Sequence, residues 1–87
     1  MLTITATAGA YLTEMLNDVE AWEGIVMRIA LEAEGLIIEE DLPHPGDAQF
    51  DYAGRTVLVL DDQLAQAFAD YTLDVEDTED GPALTLL

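Results

Sequence analysis

The run Val57-Leu58-Val59-Leu60, closed at once by Asp61-Asp62, constrains this chain more than any other stretch. An unbroken apolar run of this length reads as a strand buried on both faces. Asp61 suits a helix N-cap, because its carboxylate accepts hydrogen bonds from the free amides of the turn that follows. Asp62 adds negative charge where the helix dipole favours it. Leu64, Ala65, Ala67 and Phe68 then give the short helix one apolar side. The stretch Gly54–Leu87 therefore predicts a strand Thr56–Leu60, a helix Asp61–Ala69 and a strand Thr72–Asp77. A turn at Asp80-Gly81 leads to a closing strand Ala83–Leu87, expected to be buried or to pair with another subunit.

The first half supplies the remaining elements. Leu2-Thr3-Ile4-Thr5 alternates as a short strand, and Thr5 or Thr7 caps an amphipathic helix that runs to about Val19. Its apolar positions Ala8, Tyr11, Leu12, Met15, Leu16 and Val19 recur at three and four residues, the spacing of a core-facing stripe. The loop Asp18–Gly24 carries the sole tryptophan, Trp22. From Ile25 the pattern alternates, with Met27, Ile29, Leu31 and Ala33 on one face and Arg28, Ala30, Glu32 and Glu34 on a solvated one. Gly35 breaks this strand, and Leu36-Ile37-Ile38 opens another that ends in Glu39-Glu40-Asp41. Leu42-Pro43-His44-Pro45-Gly46-Asp47 is a loop. Ala48–Tyr52 is a strand joined to the next through Ala53-Gly54. Strand, helix, several strands, helix and two strands make an α+β fold with a mainly antiparallel or mixed sheet. A chain of 87 residues is expected to form a single domain, 1-87, since it is too short for a second core.

Composition excludes several chemistries. The sequence contains no cysteine, serine or lysine, so thiolate or serine nucleophiles, disulfides and Schiff bases are unavailable to it. Nineteen acids against Arg28 and Arg55 give a net charge of −17. Such a surface repels nucleic-acid phosphates and anionic lipid, so neither nucleic acid nor a membrane is expected as a partner. It serves either to solubilise the chain, as in a salt-rich cytoplasm, or to dock a basic partner, nucleic-acid mimicry included. With no basic region before Arg28 and no long apolar run, a cytoplasmic location is expected.

Several short motifs resemble the HesB/IscA-like family, the A-type iron–sulfur carriers. Leu2-Thr3-Ile4-Thr5 is similar to the family's I-T-L-T opening, and Met27-Arg28-Ile29-Ala30-Leu31 to its L-R-[IV]-x-V strand. Gly46-Asp47 matches a Gly-Asp turn. Val59-Leu60-Asp61 and Leu73-Asp74 match, without a gap, a strand ending in Val-Asp and a later Ile-Asp-Tyr strand. The resemblance spans nearly the whole chain and implies a HesB/IscA-like, mainly β-sheet sandwich with two helices. It also implies a departure. Members carry a cysteine in a Gly-Gly-Cys-Ser-Gly turn, where this sequence has Glu34-Gly35-Leu36-Ile37, so Leu36 stands about where the thiolate would be. Their Cys-Gly-Cys tail would lie beyond Leu87, and none of the three cluster ligands carries over. Soft thiolates hold iron–sulfur clusters, so the usual activity is not expected.

Other candidate sites are weaker. Setting Gly81 at the sixth position of a calcium loop puts Glu76, Thr78 and Asp80 on ligand positions, but Leu87 where a bidentate acid belongs, so a plain turn is the expected reading. His44 is the only imidazole, flanked by Asp41 and Asp47, yet a histidine between prolines is expected to be extended and exposed. Arg28 and Arg55 are each expected to bridge carboxylates. Trp22 covers one end of the core or anchors a partner. The expected function is a non-catalytic protein-binding or regulatory module, its tie to iron–sulfur metabolism resting on the resemblance. Its candidate partner-binding residues are Trp22, Asp74, Glu76, Asp77, Glu79 and Asp80. No catalytic residue, metal or cofactor is expected, and the partner is an unidentified, basic protein or a second copy in a homodimer. A nucleic-acid-mimicking decoy and, third, a carboxylate-based metal-dependent enzyme are the alternatives.

Overall fold

In a computed structural model, residues 1–18, 24–33 and 35–87 are described. The elements are β1 (Thr3–Ile4), α1 (Ala6–Asp18), β2 (Val26–Glu32), β3 (Gly35–Asp41) and β4 (Ala48–Tyr52). They continue with β5 (Arg55–Leu60), α2 (Asp62–Ala67), β6 (Thr72–Thr78) and β7 (Gly81–Leu86). The strands form two sheets, one ordered β1-β6-β7 and the other β3-β2-β5-β4. Both are mixed: β1 runs parallel to β6 and β2 parallel to β5, while every other pairing is antiparallel. The α+β sandwich with two helices expected from the sequence is the fold observed. No helix among the described residues is long and apolar enough to cross a membrane.

The apolar run sits where its composition demands. Val57, Leu58, Val59 and Leu60 are all 0% exposed, because β5 lies between β2 and β4 with α1 packed against it. Leu12 and Leu16 of α1 join Leu58, Leu60 and Leu73 in the same core. At the start of α1 the cap is Thr5, whose hydroxyl accepts from the Ala8 amide at 3.1 Å. Asp61 caps α2 as expected, accepting from the Leu64 amide at 2.8 Å. That helix ends at Ala67, two residues before the boundary expected from its pattern.

Two glycines matter to this packing. A Cβ on Gly9 would lie 2.6 Å from Tyr52 Cγ, so only glycine lets α1 approach β4 this closely. Ala53 and Gly54 both take positive φ, 54° and 82°, which closes the β4–β5 hairpin in the turn that matches strand twist.

Three expectations need correction. Leu31, assigned to the buried face of β2, is 66% exposed, whereas Arg28, assigned to the solvated face, is 8% exposed. Met27 and Arg28 are buried where β2 pairs with both β3 and β5 and Ile29 is buried just beyond, while the end of the strand, paired with β3 alone, leaves the core. The C-terminal strand begins at Gly81 rather than Ala83, and Leu84 and Leu86 are only half-buried because β7 is a sheet edge. Arg55 bridges no carboxylate among the described residues; its guanidinium donates to the Asn17 amide oxygen at 3.2 Å.

Candidate functional site

Most of the residues nominated from sequence stand on β6 and the β6–β7 turn. Asp74 is half-buried and structural: it accepts from the Thr5 hydroxyl at 2.8 Å, tying β6 to the cap of α1. That hydrogen bond and one from the Val75 amide hold its carboxyl below the ordinary range. Glu76 and Asp77 are exposed on β6, and Glu79 and Asp80 on the turn, which closes through a Thr78 hydroxyl bond to the Gly81 carbonyl at 2.6 Å. Trp22 lies outside the described residues. Asp74 is thus tied to Thr5 while the other four acids are exposed, and they form no common centre. Among the described residues no group of three metal-ligating side chains is assembled.

The loop between β3 and β4 builds a second constellation. Arg28 donates through Nε to Asp41 at 2.8 Å and through Nη2 to Asp47 at 2.5 Å, with Nη1 also on Asp47 at 3.2 Å. Asp47 further accepts from the His44 amide at 2.7 Å, and its side chain is 5% exposed. The Arg28 guanidinium, with help from that amide, holds Asp47 below the ordinary carboxylate range, while Asp47 raises Arg28 further above its own. Asp41 is lowered first by the Leu42 amide and then by Arg28. His44 is exposed, its Nε2 3.5 Å from Asp41. Every charged group here has its partner inside the cluster, so this is a clasp that pins the loop to the sheet. The Leu42–Asp47 loop was legible in the sequence, but its closure over a buried arginine was not.

An apolar groove is the feature that sequence reasoning missed. It has a volume of about 460 Å³ and runs between the two sheets. Tyr11 and Met15 of α1, with Ile29 and Leu73, line it together with Leu36–Ile38 of β3 and Pro82–Leu86 of β7. Side chains of a strand alternate between faces, so consecutive lining residues mean that the edges of β3 and β7 border the groove. Both are outer strands of their sheets. Leu36 is 44% exposed and Ile37 39%. Beside the Pro82 end, Tyr11 and Pro82 also line a shallower depression that contains Glu14 and Asp77. Among the described residues no charged side chain lines the groove itself. Its signal in the sequence was the triplet Leu36-Ile37-Ile38, too apolar for a strand at a solvated edge.

No family model and no curated protein matches the sequence. Several solved structures share its fold. One is Escherichia coli SufA, involved in biosynthesis of iron–sulfur clusters, at 18% identity over 99% of this chain and 83% of that one, with a TM-score of 0.76. Another is IscA with a [2Fe-2S] cluster, at 17% identity over 100% of this chain and 84% of that one, with a TM-score of 0.65. The fold expected from the resemblance is therefore the fold found. Leu36, at the position where the resemblance puts a cysteine, lines the apolar groove. Leucine, isoleucine, proline and methionine side chains offer no thiolate or imidazole, so this donor set does not fit an iron–sulfur cluster.

Proposed function

We propose that this chain is a non-catalytic protein-binding module, with the fold of the iron–sulfur carriers but a different cargo: a segment of a basic protein partner. The observation that carries this reading is the exposed apolar groove around Leu36, where the resemblance puts a cluster ligand. Apolar side chains left open beside strand edges are what interaction sites present and what a solitary soluble domain avoids. The basic character of the partner follows from the net charge of −17 and from the burial of Arg28 between Asp41 and Asp47, which leaves Arg55 as the one exposed arginine against the acidic surface. A link to iron–sulfur metabolism would then run through that partner, and a cytoplasmic setting accords with it.

Two experiments test the reading. Anaerobic incubation with ferrous iron and sulfide should leave the protein colourless; a stoichiometric cluster with visible absorption would overturn it. A photo-crosslinking residue at Ile37, irradiated in the source cells, should trap discrete proteins of basic isoelectric point. The same residue at exposed Gln63 on α2 should trap none of them. Equal capture at both positions, or capture of acidic proteins, would refute a groove-directed basic partner. Competition by DNA for the captured protein would instead mark the acidic surface as a nucleic-acid decoy.

A further inference from the structure

The backbone of β7 says how such a segment would be held. Thr72 and Leu87 exchange both hydrogen bonds, at 3.0 and 2.8 Å, which fixes the phase of the β6–β7 ladder. In an antiparallel pair, hydrogen-bonded and non-hydrogen-bonded positions alternate. From the register, Thr85, Ala83 and Gly81 therefore bond to β6, while Leu86, Leu84 and Pro82 turn their backbone groups outward. Proline is tolerated at position 82 for that reason, since a missing N–H costs nothing on the outer side. The Pro82 carbonyl already accepts from the Tyr11 hydroxyl at 3.3 Å. The N–H and C=O groups of Leu84 and Leu86 remain, on a strand that pairs with β6 alone among the described residues.

Resting on the protein-binding reading above, we infer that β7 accepts an added strand from a basic partner. Its backbone would pair with Leu84 and Leu86, its apolar side chains would enter the groove toward Met15 and Ile38, and a lysine or arginine at one end would meet Glu14 and Asp77. Main-chain pairing would give affinity and the pockets for alternate side chains specificity, as in other strand-addition complexes. Charge selects this occupant over a second copy. A second copy would bring a further −17 to the same edge, with its Arg28 already held by Asp41 and Asp47 and Arg55 alone left to offset that charge. A cationic strand instead finds the acidic depression that opens beside the Pro82 end of the groove.

The test uses short synthetic peptides of alternating valine and threonine, flanked by lysine, by glutamate, or by lysine with a central proline. With the lysine-flanked peptide, the Leu84 and Leu86 amides should become protected from hydrogen exchange, while Ala83 and Thr85, already bonded to β6, change little. The glutamate-flanked and proline-interrupted peptides should each bind about tenfold more weakly or worse. Leu84→Pro, placed where β6 needs no donor, should stay folded and lose about tenfold in affinity, whereas Leu84→Ala, which removes the same half-buried side chain but keeps the N–H, should lose markedly less. Glu14→Gln with Asp77→Asn, which removes the charges beside the Pro82 end but no backbone group of β7, should weaken only the lysine-flanked peptide. Equal binding of the lysine and glutamate peptides would overturn the proposal. So would Leu84 and Leu86 amides already protected in a dimer without peptide, since a second copy would then be the occupant. A lysine-flanked peptide that crosslinks to Ile37 but leaves both amides unprotected would refute strand addition and leave protein binding standing. Failure of every peptide together with failure of crosslinking at Ile37 would refute both.

Discussion

Replacing Asp47 with alanine removes the acceptor of three hydrogen bonds at once, two from Arg28 and one from the His44 amide. The carboxylate is 5% exposed and the arginine side chain 9%, so water cannot replace the lost partner cheaply. Removing one member of a buried ion pair typically costs about 3–5 kcal/mol. Arg28 keeps Asp41 on Nε and the Leu42 carbonyl at 3.4 Å, which argues for the lower end. We expect a loss of about 3 kcal/mol, read by urea unfolding with an unchanged m value. For a domain of this size, roughly 4–8 °C per kcal/mol puts the fall in melting temperature at about 15 °C. The pH dependence carries the sign. The folded-state pKa of Asp47 is depressed, so its contribution is fully present above the unfolded value of about 3.9 and is lost as pH falls through the folded value. The stability gap between native chain and variant should therefore narrow below about pH 4. A loss under about 1 kcal/mol at pH 7, as for a surface ion pair, would refute the clasp. A gap that persists unchanged into acid would refute its ionic origin.

Three further outcomes are expected. Gly9→Ala should destabilise by about 1–3 kcal/mol in urea despite alanine's helix propensity, and much of that loss should vanish when Tyr52→Ala is added, because the clash is with that ring. Thr5→Ala should cost about 1 kcal/mol as a lost N-cap, with Thr5→Ser close to neutral; equal losses in both would mean that the hydroxyl is not the stabilising group. At pH 7 the melting temperature should climb with potassium chloride, most steeply between low and moderate salt, and a flat response would show that long-range repulsion is already neutralised.

The legible parts of this fold were those governed by local chemistry. Val57–Leu60 announced a doubly covered strand because four apolar residues in a row leave no face for water. Thr5 and Asp61 announced helix starts because a side-chain oxygen there has a definite job. What stayed hidden was decided by neighbours distant in sequence. Arg28 alternates as a solvent-facing residue should, yet Asp41, at the end of β3, and Asp47, at the end of the loop that follows, close over it. Leu31 alternates as a core residue should, but the β2–β3 hairpin outruns the sheet that would have covered it. The acids nominated as a docking surface were singled out by density of charge, which says nothing of which carboxylate is held by a hydrogen bond within the fold, as Asp74 is by Thr5. The groove needed the pairing order of two sheets to be seen at all, since Leu36 and Leu84 meet only through topology.

Two kinds of electrostatics coexist in the molecule, and they act over different distances. Asp41, Asp47 and Asp74 are each lowered by donors within hydrogen-bonding range, so each favours the folded state as pH rises through the acid range. The net charge of −17 works in the opposite direction, since repulsion among carboxylates grows as they ionise. Salt separates the two. Repulsion spread over the surface is screened beyond about 10 Å at 0.1 M, whereas a clasp at 2.5–3.2 Å with little exposure is screened much less. High salt should therefore leave the acid limb of stability in place and lift the neutral limb, moving the optimum toward neutrality. The same screening bears on the groove. Apolar side chains and β7 backbone groups hold an added strand at any ionic strength, while attraction of its basic end to Glu14 and Asp77 fades. Conditions that stabilise the domain most would thus be those in which its discrimination between partners rests on the groove alone.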